Sequence, residues 1–488
     1  MQIDRRTFLA TGLAVPLASG CVTTAAGPSP RRTLIRGADL VTMEAVGELL
    51  NTDLLIDGNQ IVEIGRDLPA DGAHVIDARG MIVMPGMIDG HRHVWQTLLN
   101  GLLPKMSPGY SQYDRLANMT YALCFDPDDM HHAQYIGGLA CLDSGVTTVI
   151  DQMHAANGDE MERAAALGLK ESGVGGVFCY QMRNGPFYGR GDTYAHAKAV
   201  AERNQPPDER HWRNAETIRD TIFSSDDLLG FGIGLTGSVG AQMLDVAVKE
   251  FHRARALQPR MLTQHMNQRA GAQAPTLRGV SDLHAAGVLG PDYLVSHGVD
   301  MTDEEMGMLR DAGSSLSSTV LGEFNYAKPS VHGRARKVGL NVAIGLDVGI
   351  ALTHDYFEHV RAAYWNLMRT DAGREMALGL SPVDTLHFAT GNALKAAGLG
   401  DVTGSIKRGK RADLILLRTD RPGFPQLGSP ADRIVTGAYQ TDIDTVWVAG
   451  RAVKSGGKLA GVDAAALEQK SAGIRAAILE RARTITLT

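Results

Sequence analysis

The sequence predicts an α/β chain, a (β/α)8 TIM-type barrel with a small β-sandwich-like domain built from both chain ends. Three observations predict it. Eight short β-branched or apolar runs alternate with longer helical stretches through the middle of the chain. Two sets of short alternating segments flank that middle, one before about Pro85 and one after about Leu399. Polar residues able to do chemistry follow most of the eight runs, which is where a barrel keeps its active site. A doubly wound open sheet is the competing arrangement, and that third observation favours the barrel.

The first residues read as an address. Arg5-Arg6-Thr7-Phe8-Leu9 leads into a mild apolar stretch ending near Gly20, too short to span a bilayer, in the manner of a twin-arginine export signal. Ala18-Ser19-Gly20-Cys21 has the form of a lipoprotein processing site, with Cys21 as the lipidated residue. Ala18 stands where a larger aliphatic residue is usual, so ordinary cleavage nearby, for example after Ala26, is the competing expectation. Residues 1–30 are therefore expected to be signal and tether, and the mature protein to be exported to the bacterial periplasm, with a lipid anchor or without one. Cys124, Cys141 and Cys179 form no Cys-x-x-Cys pair and are expected to be buried small hydrophobes.

From 31 to 84, Thr33–Arg36, Asp53–Ile56, Gln60–Ile64 and His74–Ile76 alternate around an Asp57-Gly58-Asn59 turn, which predicts antiparallel hairpins. Residues 399–460 carry the matching strands, Leu414–Leu417 and Thr445–Ala449, and 461–488 are expected to hold a final helix. The span 85–398 is left for the barrel. Its expected strands are Ile82–Val83, Thr147–Ile150, Gly176–Tyr180, Leu229–Gly234, Met261–Thr263, Tyr293–Val295, Ser315–Ser317 and Val342–Ile344. Two long connections, Val94 to about Ala133 and Arg183 to about Asp227, are expected to be lids or substrate loops.

At 488 residues the chain is long enough for such a barrel with an appended domain. A hydrophobic content of 44% with 21% charged residues describes a globular protein. The net charge of -6 and the lack of a long Lys/Arg run exclude a nucleic-acid partner. A homodimer is the base-rate expectation for assembly.

His91 and His93 lie two apart on an extended segment, so both rings can face one ion. His265 follows the fifth run, His297 the sixth and Asp347 the eighth. Histidines and one carboxylate with a position left for water suit Zn2+, and Fe2+ or Mn2+ fits as well. Singly, a strand-end histidine such as His297 is more often a satisfied polar residue. His354 and His359, five apart on an expected helix, do not share a face and are read as non-ligands.

The ordered set Ile56-Asp57-Gly58, Pro85-Gly-Met-Ile-Asp-Gly-His-Arg-His93, Gly145-Val-Thr-Thr-Val149, Ala389-Thr-Gly-Asn-Ala393 and Gly404-Ser-Ile-Lys-Arg-Gly-Lys-Arg-Ala-Asp-Leu414 resembles the amidohydrolase superfamily. It looks closest to the branch of cytosine deaminase, S-adenosylhomocysteine deaminase and the triazine hydrolases. The resemblance implies that His91, His93, His265 and Asp347 hold one divalent metal ion, and that His297 either joins them or polarises the substrate. Asp347 would then be both ligand and general base. Trp95, Gln96, Asp151, His154, Arg183, Gln268 and Asn325 are candidates to line the substrate site, with ordinary packing as the alternative for each.

Two positions depart from the deaminase pattern. Gln268 stands where these deaminases carry a proton-shuttling glutamate, and an amide cannot exchange protons near neutral pH. Asn100 stands where an arginine is often found. The expected chemistry is therefore hydrolysis by metal-activated water, whose pKa falls from about 15.7 towards about 7 on binding. The expected substrate is a small non-peptide amide, cyclic amide or amidine-like molecule cleaved at a carbon-nitrogen bond. Heterocycle deamination or dechlorination is the alternative, and a non-catalytic lipoprotein that binds a small molecule is a further one.

Overall fold

The computed structural model describes residues 31–103, 111–155, 158–203, 205–224, 228–236, 244–266, 279–324, 329–369, 374–375 and 382–488. The expected signal and tether, Gln268 and Asn325 lie outside the described residues. No helix among the described residues is long and apolar enough to cross a membrane.

Eight parallel strands follow one another in chain order: Met87–Arg92, Val146–Met153, Gly175–Gln181, Leu229–Gly234, Leu262–Met266, Tyr293–His297, Ser315–Ser318 and Asn341–Ile344. Helices such as Pro127–Asp143 and Asp159–Glu171 separate them, as parallel crossovers require. Strands covered on both faces read as continuous apolar runs rather than alternating ones. Every residue of Gly175–Gln181 is accordingly buried. The last strand returns to the first through a parallel bridge between Arg92 and Asp347. Two backbone bonds hold that seam: Asp347 N–H donates to the His91 carbonyl at 2.9 Å, and His93 N–H to the Asp347 carbonyl at 3.1 Å.

The first strand is not the expected one. Ile82–Pro85 belongs to the neighbouring sheet, where it pairs antiparallel with Leu414–Leu417 and parallel with Arg32–Val41. The barrel begins one glycine later, at Met87–Arg92, and His91 lies inside that strand. His265 and His297 likewise sit within their strands rather than after them.

The interior of the barrel is closed at one end by apolar packing. Ile88, Ile150, Val177, Met261, Leu294 and Ala343 cluster with Ala393, Leu394 and Leu399. Asn392 pins this plug by donating to the Val342 carbonyl at 2.7 Å, while Asn341 donates to the Asn392 carbonyl at 2.7 Å. The opposite end is left for chemistry.

The second unit is a mainly β region of nine strands that draws on both chain ends. Its central strands alternate in the two-residue period of a sheet packed on both sides. Val83, Leu414 and Leu416 face the small core with Trp447, while Ile82, Met84, Ile415 and Leu417 face the barrel's core. The Gly58-Asn59 hairpin forms as expected, with Asp57 opposite Gln60. His74–Asp77 does not: it pairs parallel with Arg32–Val41 because a connection, not a tight turn, brings it back. Cys124, Cys141 and Cys179 are buried and unbridged.

Candidate metal centre

The open end of the barrel gathers imidazoles from three segments and a carboxylate from a fourth. Nε2 of His91 lies 3.5 Å and Nε2 of His93 3.3 Å from Oδ1 of Asp347. One donor atom each from His91, His265, His297 and Asp347 falls within a 4.8 Å cluster. The rings of His93 and His265 stand 5.3 Å apart. Nε2 of His91, His93 and His265 is buried with no hydrogen-bond partner, a costly condition for three converging polar atoms unless something else occupies the space between them. Imidazole nitrogens with one carboxylate form a donor set that fits a divalent metal ion.

Each ring is held from behind at Nδ1, which leaves Nε2 to face the cluster. His91 meets the Ser296 hydroxyl at 2.9 Å, His93 donates to the Gln152 carbonyl at 2.8 Å, and His297 meets the Thr319 hydroxyl at 3.0 Å. Nδ1 of His265 lies 2.9 Å from the Gln152 side-chain amide, which in turn donates to Gln181 Oε1 at 2.6 Å. Glu323, fully buried, stands 3.5 Å from Nδ1 of His297 and accepts from Ser318 and the Thr319 N–H, both at 2.7 Å. Gln152, Ser296, Thr319 and Glu323 escaped the sequence reading. Ser296 adjoins His297, and Glu323 follows the seventh strand, the only signals that pointed to them.

The electrostatics divide the site. Burial pushes His91 down to about 4 and His265 well below its ordinary value, so both are neutral and able to bind a cation. Burial also pushes the Asp347 carboxyl up, but the imidazoles of His297, His91 and His93 overcome it and hold Asp347 well below the usual carboxylate range. His297 is the exception among the rings. Burial lowers it, yet Asp347 on one side and Glu323 on the other raise it above the ordinary histidine value.

Both His297 and Asp347 adopt left-handed backbone, with φ of 73° and 71°. Such conformations are uncommon for residues other than glycine and concentrate where function demands them. Gly345 makes the approach of the eighth strand feasible, since a Cβ there would lie 2.5 Å from the His91 carbonyl oxygen and 2.7 Å from its nitrogen.

The other candidate residues fall into two groups. His154 stacks on His93 at 3.6 Å between centroids, and Arg183 donates to the His154 carbonyl at 2.8 Å. Both line a small cavity, open to solvent, together with Asn118, Met119, Tyr188 and Arg203. Trp95, Gln96 and Asp151 are fully buried and do not line it. Trp95 Nε1 donates to His154 Nδ1 at 3.2 Å, and Gln96 donates to the Tyr113 hydroxyl, which approaches the other nitrogen of His154. Asp151 accepts from the Val94 N–H at 3.0 Å and from Gln134 at 2.9 Å, holding the chain just beyond His93. Asn100 ties that same connection to the carbonyls of Gly349 and Leu352. His354 and His359 bind Arg92 and the Thr353 carbonyl, outside the cluster.

A parallel eight-stranded barrel with a histidine and aspartate cluster at its open end defines a metal-dependent hydrolase. Residues 82–453 match the model of the Amidohydrolase family, and the chain belongs to that family. It is 26% identical over 424 residues to a 5'-deoxyadenosine deaminase of Methanosarcina acetivorans, covering 86% of this chain and 91% of the relative. A 5-methylthioadenosine/S-adenosylhomocysteine deaminase of Acetivibrio thermocellus is 25% identical over 448 residues, covering 88% and 95%. Among solved structures, a zinc-bound adenosine deaminase from Xanthomonas campestris superposes with a TM-score of 0.76 at 20% identity, over 93% of this chain and all of that one. The zinc complex of atrazine chlorohydrolase from Arthrobacter aurescens gives 0.77 at 19%, over 91% and 99%. The protein is an amidohydrolase-type enzyme acting on carbon-nitrogen bonds other than peptide bonds.

Proposed function

We propose that the protein is a zinc hydrolase that cleaves the carbon-nitrogen bond of a small amide, cyclic amide or amidine-like molecule. The observation that carries this reading is the convergence of the unpartnered Nε2 atoms of His91 and His93 on the Asp347 carboxylate, with the likewise unpartnered His265 in the same cluster of donors. A zinc ion held by these four residues supplies a Lewis acid and water of lowered pKa. Asp347, kept anionic by its imidazole neighbours, accepts the proton of the attacking water and returns it to the leaving nitrogen. His297, raised by Asp347 and Glu323, donates a hydrogen bond to the oxygen or nitrogen on which charge develops. His154 and Arg183 form the wall against which the rest of the substrate rests.

Deamination of an aminated heterocycle is the second reading. The two deaminase relatives favour it, and Gln268 weighs against it by removing the usual proton carrier. Metal analysis of the purified protein, followed by hydantoin, dihydrouracil, 5'-deoxyadenosine and S-adenosylhomocysteine as substrates, tests both. A carboxylate product supports the first reading and free ammonia without ring opening the second. Lack of bound metal together with no turnover after zinc loading sinks both. Residues 1–30 support export with Cys21 as a lipid anchor, which mass spectrometry of the mature N-terminus tests.

A further inference from the structure

Two chain connections form the walls of the cavity beside His154: Asn118, Met119 and Leu123 come from the connection after the first barrel strand, and Arg183 to Arg203 from the connection after the third. Neither wall is built on a barrel strand, so something must fix the distance between them.

Residues 484–488, just beyond the helix Ala464–Ala482, touch both. Thr486 and Leu487 pair in parallel with Thr193 and Tyr194 of the second wall. Thr486 N–H donates to the Asp192 carbonyl at 3.0 Å, Thr488 N–H to the Tyr194 carbonyl at 3.0 Å, and His196 N–H to the Thr488 carbonyl at 2.9 Å. The Thr484 hydroxyl accepts from the Gly191 N–H at 3.1 Å. On the opposite side the Leu487 carbonyl accepts from Arg115, and Arg481 donates to the Cys124 carbonyl at 2.9 Å, both in the first wall. The walls also meet directly, through the Tyr188 hydroxyl to the Met119 carbonyl at 2.8 Å and through Arg203 to Asp114 at 2.8 and 3.0 Å. Tyr188 of the cavity stacks at 4.8 Å on Tyr194, the residue paired with Leu487.

We infer that Thr484–Thr488 is a positioning element of the substrate pocket: its backbone fixes the Arg183–Arg203 wall against the Asp114–Cys124 wall and so sets the width of the pocket beside the metal centre. The segment is not among the residues lining the cavity beside His154 and acts on it only through the walls. The inference rests on the cavity being the substrate pocket.

The test compares the full, zinc-loaded chain with Thr486→Pro, which removes the N–H given to Asp192, and with Thr486→Val, which keeps it. Hydrogen exchange of residues 188–203 is expected to quicken about tenfold in the proline variant alone. Exchange in Leu262–Met266 and Tyr293–His297, and the zinc content, stay at the parent's values. The KM for 5'-deoxyadenosine or hydantoin, whichever the parent turns over, rises by about tenfold while kcat stays within about twofold. Unchanged exchange at 188–203 overturns the inference, as does faster exchange spread through the barrel strands. Quickened exchange with an unaltered KM overturns the link to the pocket. A parent that turns over neither compound counts against the functional reading, and the exchange comparison still decides whether the segment holds the walls.

Discussion

The backbone N–H of His93 donates to the Asp347 carbonyl at 3.1 Å, while Nε2 of the same histidine lies 3.3 Å from Oδ1 of the same aspartate. Main chain and side chain thus meet across the seam where the last barrel strand returns to the first. The geometry of His91, His93 and Asp347 is set by the hydrogen bonds that close the barrel, which gives it the precision of backbone rather than of loops.

Asp347→Asn should abolish turnover and leave the fold intact. Asparagine tolerates the left-handed backbone at φ 71°, so the seam survives, while the group that accepts and returns the proton is gone. A loss of about 10²-fold or more in kcat, with an unchanged circular dichroism spectrum, is the expected result. Retained activity would remove Asp347 from its role as base.

Ser296→Ala should weaken metal binding rather than chemistry. It deprives the His91 ring of its 2.9 Å partner and lets Nε2 wander. Competition with a chelator should register a loss of about 10- to 100-fold in zinc affinity, the usual effect of removing a ligand's outer partner.

Gly345→Ala places a Cβ 2.5 Å from the carbonyl of His91, where backbone meets backbone and nothing can yield. The seam must open. A destabilisation of about 1 to 3 kcal/mol and zinc-depleted protein are expected, read by thermal melting and elemental analysis.

Glu162, buried between two helices and the barrel, offers a pH test at a residue outside the metal-ligand cluster. Burial raises its carboxyl to about 8, and Asn214 donates to it at 2.8 Å. Between its unfolded value near 4.5 and about 8 the folded chain retains a proton that the unfolded chain releases, so its contribution to stability falls as pH rises through that window and is lost above it. Glu162→Gln should therefore melt at a higher temperature than the parent at pH 9, and near the parent at pH 5. Parallel melting curves at both pH values would contradict this.

Gln268→Glu should raise release of ammonia from amino-substituted heterocycles, because a group that carries protons returns to the position where deaminases of this type hold one. No gain across a panel of such compounds would count against a deaminase ancestry of the site.

The barrel and the identity of the clustered donors were legible because each follows from a local rule. His91 and His93 share a face by the two-residue period, and His265, His297 and Asp347 end apolar runs. The first strand was misplaced because Ile82–Pro85 and Met87–Arg92 read as one apolar stretch, broken only by Gly86, although they serve two different sheets. The partners of the rings were not legible at all. Ser296 reaches His91 from 205 residues away and Gln152 reaches His265 from 113, and no periodicity couples such positions. Trp95 and Gln96 follow His93 just as pocket residues would, yet their side chains turn into the packing and hold His154.

The sheet that joins both ends of the chain also imposes an order on synthesis. Pro85, two residues before the strand that carries His91, pairs with Leu414, so the neighbour of that region emerges from the ribosome about three hundred residues later. At about 5 to 20 residues per second the gap is some tens of seconds, during which the Ile82–Pro85 edge has no partner on that side. Contacts of such long range are slow to form and leave strand edges exposed. Expression at low temperature or with chaperones should therefore raise the yield of soluble protein more than any change at the metal centre.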